Sequence, residues 1–298
     1  MQNDIVTNTK ANRLGSLWMV GSMAAFAIED AFVKAVSQSL PVGQILILFG
    51  LGGSLIFACL AVLTGARLWT PEVLSKPMCI RVVFEIIGRL FYVLAISLSA
   101  LSAATVILQA TPLIVVAGAA LIFGERVGWR RWAAILLGLV GVIVIIQPGS
   151  DSFSMLSILA VLGMIGFAGR DLASRAAPKS LGALVLGFYG FLSVVIAGCL
   201  VAIWQATPFV MPASGTSALM VAAILAGVVA YGCLMKAMRT GEVSAVTPFR
   251  YTRLLFGIAI GVIIFREQLD LAMVAGSAMI VLSGLFIVGR TRTVAQET

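Results

Sequence analysis

The stretch FAIEDAFVKAVSQSL, Phe26 to Leu40, returns as FAGRDLASRAAPKSL, Phe167 to Leu181. The copies stand 141 residues apart, and Phe26, Ala27, Asp30, Ala35, Ser39 and Leu40 each meet an identical residue. With one further residue inserted, the match resumes. Ala103-Ala104-Thr105 answers Ala245-Val246-Thr247, and Glu125 answers Glu267. The chain is therefore written twice, with expected copies over 14–147 and 154–290.

What fills each copy follows from composition. Apolar residues make up 61% of the 298 residues and charged residues 11%, where a soluble domain carries about 25% charged residues. Crossing the hydrocarbon core takes about 20 apolar residues in a helix. Ten such stretches are expected, at 14–36, 44–64, 78–98, 103–123, 130–147, 154–174, 182–204, 217–238, 245–265 and 271–290. Breakers fall between them: Pro41-Val42-Gly43, Pro71, Pro77, Pro148-Gly149, Pro178 and the Pro208 to Pro212 segment. Pro112 and Pro248 fall inside or at the start of spans, where neighbouring helices can satisfy the freed carbonyls. The expected fold is an all-α membrane protein of ten transmembrane helices in two five-helix repeats. Five is odd, so the second copy enters the membrane inverted, as in secondary transporters with a substrate site between their halves.

The basic residues set the orientation. With the N-terminus in the cytoplasm, 14 of the 20 Lys and Arg lie at inner segments, from Lys10 and Arg13 through Arg67, Lys76 and Arg81 to Arg290 and Arg292. Only Lys34 and Arg266 lie outside, and Arg89, Arg170, Arg250 and Arg253 fall within spans. Both termini are thus expected in the cytoplasm. The net charge of +8 reads as this topology signal; no basic stripe with interleaved aromatics marks a nucleic-acid surface. The chain is polar through Arg13 and then runs into a full-length span, so no cleavable leader is expected. Gly138 with Gly141, Gly163 with Gly166, and Gly257 with Gly261 stand at the spacing of closely packed helices.

The block AATVILQATPLIVVAGAALIFGE, Ala103 to Glu125, and its second copy AVTPFRYTRLLFGIAIGVIIFRE, Ala245 to Glu267, carry a family likeness. They resemble the drug/metabolite transporter superfamily, in its ten-helix branch of two EamA-type repeats, and within it most the YddG-type exporters of aromatic and other amino acids. In that pattern a Pro lies within the fourth helix and Gly-Glu closes it. Pro112 and Gly124-Glu125 keep the pattern, whereas the second copy has Leu254 for the Pro and Arg266 for the Gly. The resemblance implies a central cavity, alternating access and amino-acid export across the bacterial inner membrane.

The candidate site rests on charges inside spans, which are costly unless paired or wet. They are Glu29 and Asp30, Glu85 and Arg89, Arg170 and Asp171, and Arg250 and Arg253. Glu85 and Arg89 stand four apart on one helical face. They read either as a local ion pair or as an arginine presented to the cavity and oriented by Glu85. Arg250 and Arg253 share a face, and paired guanidinium groups suit a carboxylate. Their partner is either Asp171 or Glu85 from another helix, or a substrate. The repeat places Leu108 and Thr111 opposite them, so the shared fold does not demand the two arginines. Asp30 and Asp171 are kept in both copies and read as structural or gating groups. Tyr92, Phe26 and Gln109 are candidate cavity walls.

The expected cargo is a small molecule, an amino acid or similar amphipathic metabolite, in contact with membrane lipid and with no nucleic acid. An exporter of cationic drugs is the alternative if Glu29, Asp30 and Glu85 stand unpaired; a passive channel is the alternative from another class. The chain has no His, its four Cys lie in or beside apolar stretches, and it has no phosphate loop. No enzyme activity, metal or cofactor is expected.

Overall fold

The computed structural model describes residues 2–123, 129–147, 154–178, 180–240 and 247–296. Among them every regular element is helical: α1 (Gln2–Val36), α2 (Val42–Thr64), α3 (Lys76–Leu98), α4 (Leu101–Leu108), α5 (Thr111–Phe123), α6 (Trp129–Ile146), α7 (Leu156–Ala176), α8 (Ala183–Gln205), α9 (Ser214–Thr240), α10 (Thr252–Ile263) and α11 (Leu271–Gln296). Two short 3-10 turns, Pro71–Leu74 and Thr247–Tyr251, precede α3 and α10. Gly124-Glu125 with Arg126, the Pro148-Gly149 divider, Lys179, Ala245-Val246 and the Arg175 side chain lie outside the described residues.

Six stretches are long and apolar enough to cross a membrane: 13–36, 42–64, 101–122, 156–174, 183–205 and 214–234. The expected ten are not all reached by this measure, for physical reasons. α3 carries Lys76, Arg81, Glu85 and Arg89 along its length. The apolar parts of α6 and α11, 132–146 and 271–283, are shorter. The ninth stretch begins outside the described residues and continues as a 3-10 turn. α1 also extends back through polar residues to Gln2, beyond the apolar span.

Pro112 explains why 101–122 is two helices. It has no N–H to give the Leu108 carbonyl, and its ring crowds that oxygen. The Thr111 hydroxyl donates to the Leu108 carbonyl instead, and the chain breaks at Gln109-Ala110. The second copy breaks at the matching place, where the turn Thr247–Tyr251 gives way to α10 at Thr252, although Leu254 stands where the first copy has Pro. The break belongs to the repeat, not to the proline alone.

Helices pack mainly across the two copies: α1 on α9, α2 on α8, α3 on α7, α4 on α10 and α6 on α11. Exchanging the copies turns the α1–α9 pair into the α7–α3 pair and leaves the α2–α8 and α6–α11 pairs unchanged. Lipid is as apolar as these side chains, so close backbone approach rather than water exclusion holds such pairs together. A Cβ on Gly166 would stand 2.3 Å from the Gly88 nitrogen, and one on Gly276 would stand 2.6 Å from the Gly141 carbonyl. The α3–α7 and α6–α11 crossings therefore need glycine at these points. Leu55, Leu63, Ile203, Val229 and Leu282 stay exposed on the outer face of the bundle, where a lipid environment suits them.

Candidate functional site

α1, α3, α7, the turn leading into α10 and the start of α10 converge their charges inside the bundle. Two pairs are nearly sealed. Glu29 accepts from Arg89 at 2.7 Å, and Asp30 accepts from Arg253 at 2.6 Å, with the Glu29 and Asp30 side chains 1% and 2% exposed. The Tyr92 hydroxyl also donates to Asp30, at 2.9 Å. The Arg253 guanidinium lies 5.0 Å from the Phe26 ring centre and 5.6 Å from that of Tyr92. Arg89 stacks on Phe49 at 5.1 Å. Delocalised arginine is suited to this half-aromatic setting.

The remaining charges form a string: Arg81, Glu85, Arg170, Asp171, Arg250. Arg81 and Arg170 each reach Glu85 at 3.4 Å. Arg170 donates from Nε and Nη2 to one oxygen of Asp171 at 3.0 and 2.8 Å, and Arg250 donates to the other at 3.4 Å. Three arginines meet two carboxylates, so the string carries one positive charge in excess. It is also the more open part: the Arg170, Asp171 and Arg250 side chains are 25%, 21% and 24% exposed. Arg81 is anchored further by Ser174 and the Leu186 carbonyl.

These partners differ from the sequence reading in three ways. Glu85 and Arg89 do not pair, although their spacing allows it. Glu85 turns to Arg81 and Arg170, and Arg89 crosses to Glu29, because α1 and α7 supply partners that one helix cannot. Arg250 meets Asp171, one of the partners the sequence offers, but Arg253 pairs with Asp30 instead. Arg81, expected among the inner-segment charges, is 3% exposed within the cluster. Its signal was available, since it stands four residues before Glu85. Gln109 is buried at the α4–α5 break and lies outside the ionic cluster. A depression of about 390 Å³ lined by Arg67, Thr70, Ser180 and Gly182 touches none of these charged groups. Among the described residues no group of acids and cysteines is placed to hold a metal.

A second polar contact sits at the other end of span nine. The twelve-residue helix α10, about 18 Å long, lies between Arg250 and Glu267. There the Glu267 carboxylate accepts from the Leu101 and Ser102 N–H groups at 2.7 and 3.0 Å and from the Ser102 hydroxyl at 2.6 Å. A carboxylate at a helix N-terminus satisfies orphan donors and opposes the helix dipole. Lys34 completes the clamp, 3.2 Å from Glu267 and donating to the Ser99 carbonyl at 2.6 Å. Arg266 turns the chain toward this contact with φ +54°, a left-handed conformation. That is a physical reason for the Gly in the resembled pattern, since only Gly enters this region without strain. The clamp ties α1 and α4 of one copy to the residues after α10 of the other.

The comparisons with known proteins agree on the class. A model of the EamA-like transporter family matches residues 13–147 and 154–289. An S-adenosylmethionine uptake transporter of Rickettsia prowazekii is 23% identical, over 92% of both chains. A riboflavin transporter of Vibrio cholerae is 26% identical, over 92% of both. The pseudopaline exporter CntI of Pseudomonas aeruginosa is 26% identical, over 90% of this chain and 94% of its own. A solved crystal structure shares the fold, with a TM-score of 0.61 at 19% identity, over 90% of this chain and 96% of the other. The relatives are transporters of small molecules. With both halves of the chain matched, this protein belongs to the EamA-like transporter family and is a membrane protein of two EamA repeats.

Proposed function

We propose that this protein carries amino acids, and similar small metabolites bearing a carboxylate, across the bacterial inner membrane by alternating access. The observation that carries the reading is the excess positive charge of the Arg81–Glu85–Arg170–Asp171–Arg250 string. An interior cation without a full complement of anions favours a cargo that brings one. Aromatic rings at Phe26, Phe49, Tyr92 and Phe167 stand beside the arginines and suit an apolar or aromatic side chain. S-adenosylmethionine, the cargo named for one relative, is itself an α-amino acid.

The same reading takes the two copies as inverted five-span repeats, with both termini in the cytoplasm and outward net flux. The helix pairing that survives exchange of the copies supports the first point, and the distribution of Lys and Arg supports the second. Glu29, Asp30, Arg89 and Arg253 would hold the halves together or release them as the cavity changes sides. Export of cationic drugs is disfavoured, because Glu29, Asp30 and Glu85 each already face an arginine.

The test is uptake of labelled L-phenylalanine and L-leucine into proteoliposomes, with competition by unlabelled amino acids, by their amides and by cationic drugs. The account expects saturable flux inhibited by the acids far more than by the amides. Flux inhibited best by the cations would overturn it.

A further inference from the structure

We propose that Asp171 is an internal stand-in for the substrate carboxylate: it occupies Arg170 and Arg250 in the empty transporter, and the cargo displaces it. The proposal rests on the carboxylate-cargo reading above and adds where that group binds and what it competes with.

Of the four interior acids, Asp171 is the most open. Its side chain is 21% exposed, against 1–2% for Glu29 and Asp30 and 7% for Glu85. It bridges two arginines of the second copy, Arg170 beside it on α7 and Arg250 on the turn before α10. Its hold on the second is loose. Charge-assisted N–H···O bonds close to about 2.7–2.9 Å, whereas Arg250 stands at 3.4 Å. Arg250 has no other carboxylate within salt-bridge distance among the described contacts, so a second carboxylate arriving beside it gains a partner that Asp171 only half satisfies.

The excess charge is in the same place. Glu85 spreads over Arg81 and Arg170, both at 3.4 Å, and Asp171 spreads over Arg170 and Arg250. One added carboxylate would bring three arginines and three acids into balance. A substrate ammonium would then find Glu85 or the freed Asp171 nearby. Displacement by the substrate also returns an ion pair for each one lost, so binding stays weak enough for release. Asp171 thereby sets affinity by competition, which distinguishes it from Asp30. Asp30 is sealed under Tyr92 and Phe26 and holds Arg253 at 2.6 Å.

Two measurements on the full-length protein decide this. First, thermal unfolding of purified Asp171→Ala is followed with added acetate, with chloride at equal ionic strength as control. Acetate is expected to raise the Tm of Asp171→Ala, to leave wild type unchanged, and to lose its effect in Asp171→Ala/Arg250→Gln. An acetate effect that persists without Arg250, or no effect in Asp171→Ala, overturns the carboxylate subsite. This arm needs no transport activity, so it stands even if amino acids are not the cargo.

Second, L-phenylalanine counterflow is measured in wild type and Asp171→Asn. Competition predicts a half-saturation concentration about tenfold lower in Asp171→Asn, with acetate becoming an inhibitor. A merely structural aspartate predicts half-saturation unchanged or raised, with flux reduced, and that result overturns the stand-in role. If wild type shows no phenylalanine counterflow, the amino-acid reading fails, and the acetate measurement alone decides the subsite.

Discussion

Replacing Asp30 with Asn tests the claim that the sealed ion pairs, and not the apolar contacts alone, lock the two copies together. The substitution preserves shape and leaves an amide oxygen that can still accept from Tyr92, but it removes the charge facing Arg253. Arg253 comes from the second copy and Asp30 from the first. Their side chains are 14% and 2% exposed, and Arg253 Nε already has no hydrogen-bond partner among the described residues. Stripping one partner from a buried pair costs about 3–5 kcal/mol, because the remaining charge is stranded. The Phe26 and Tyr92 rings continue to face the guanidinium, and a desolvated cation–π contact contributes about 2 kcal/mol, so the lower end of that range is expected. About 3 kcal/mol reduces the folding constant roughly a hundredfold or somewhat more. Arg253→Met strands Asp30 instead, with a similar cost. The double variant strands neither charge, so its cost should fall at least 2 kcal/mol short of the sum of the singles. Reversible unfolding by dodecyl sulfate in mixed micelles measures all four proteins. Single-variant costs that add within about 0.5 kcal/mol in the double variant would refute the reasoning, since additivity is the behaviour of independent sites.

Further outcomes follow from packing and from the clamp. Gly166→Leu drives side-chain atoms into the Gly88 backbone and should destabilise by at least about 1–3 kcal/mol. Gly21→Ala meets no atom within 4 Å and should gain about 1 kcal/mol from helix propensity; equal effects at the two sites would contradict the crossing geometry. Arg266→Gly relieves a left-handed residue at φ +54° and should stabilise by roughly 0.5–1 kcal/mol, read as a rise in Tm; a loss would show that the conformation carries no strain. At Glu267, burial opposes the charge, but the bonds from Ser102 and Leu101 and the Lys34 ammonium hold its carboxyl below the ordinary carboxylate range. Its contribution is thus complete above the unfolded value of about 4.3 and fades as pH falls through the lower folded value. Glu267→Gln should cost roughly 1.5–3 kcal/mol at pH 6–8, with the gap to wild type narrowing only at acid pH; a gap that narrows instead between pH 6 and 8 would refute this.

The repeat made much of the architecture legible. Phe26–Leu40 against Phe167–Leu181 announces two copies, and Gly163, Gly166, Gly138 and Gly141 announce close crossings that the structure contains; Pro112 is expected inside a continuous span, where the structure has a break. Ion partners were less legible, because they depend on how helices distant in sequence are rotated against each other. Glu85 has an arginine four residues away on either side, Arg81 and Arg89, and local spacing alone favours neither. The choice is made by α1, which offers Glu29 to Arg89, and by α7, which offers Arg170 to Glu85. Arg81 counts among the inner-segment charges by its place near the start of its span, yet it folds inward to Ser174 and the Leu186 carbonyl. The break before α10 was hidden because Leu254 replaces the proline; only the offset between the copies points to it. Gln109, a candidate wall from its polarity inside a span, proved to mark the break in its helix.

Counterflow is the most direct test of the central claim that this EamA protein moves a carboxylate-bearing metabolite by exposing one site to each side in turn. Proteoliposomes are loaded with unlabelled L-phenylalanine, and entry of the labelled compound is followed against empty vesicles. The account predicts saturable entry that internal substrate accelerates and that Arg250→Gln abolishes. Entry that rises linearly with concentration and ignores internal substrate would contradict it.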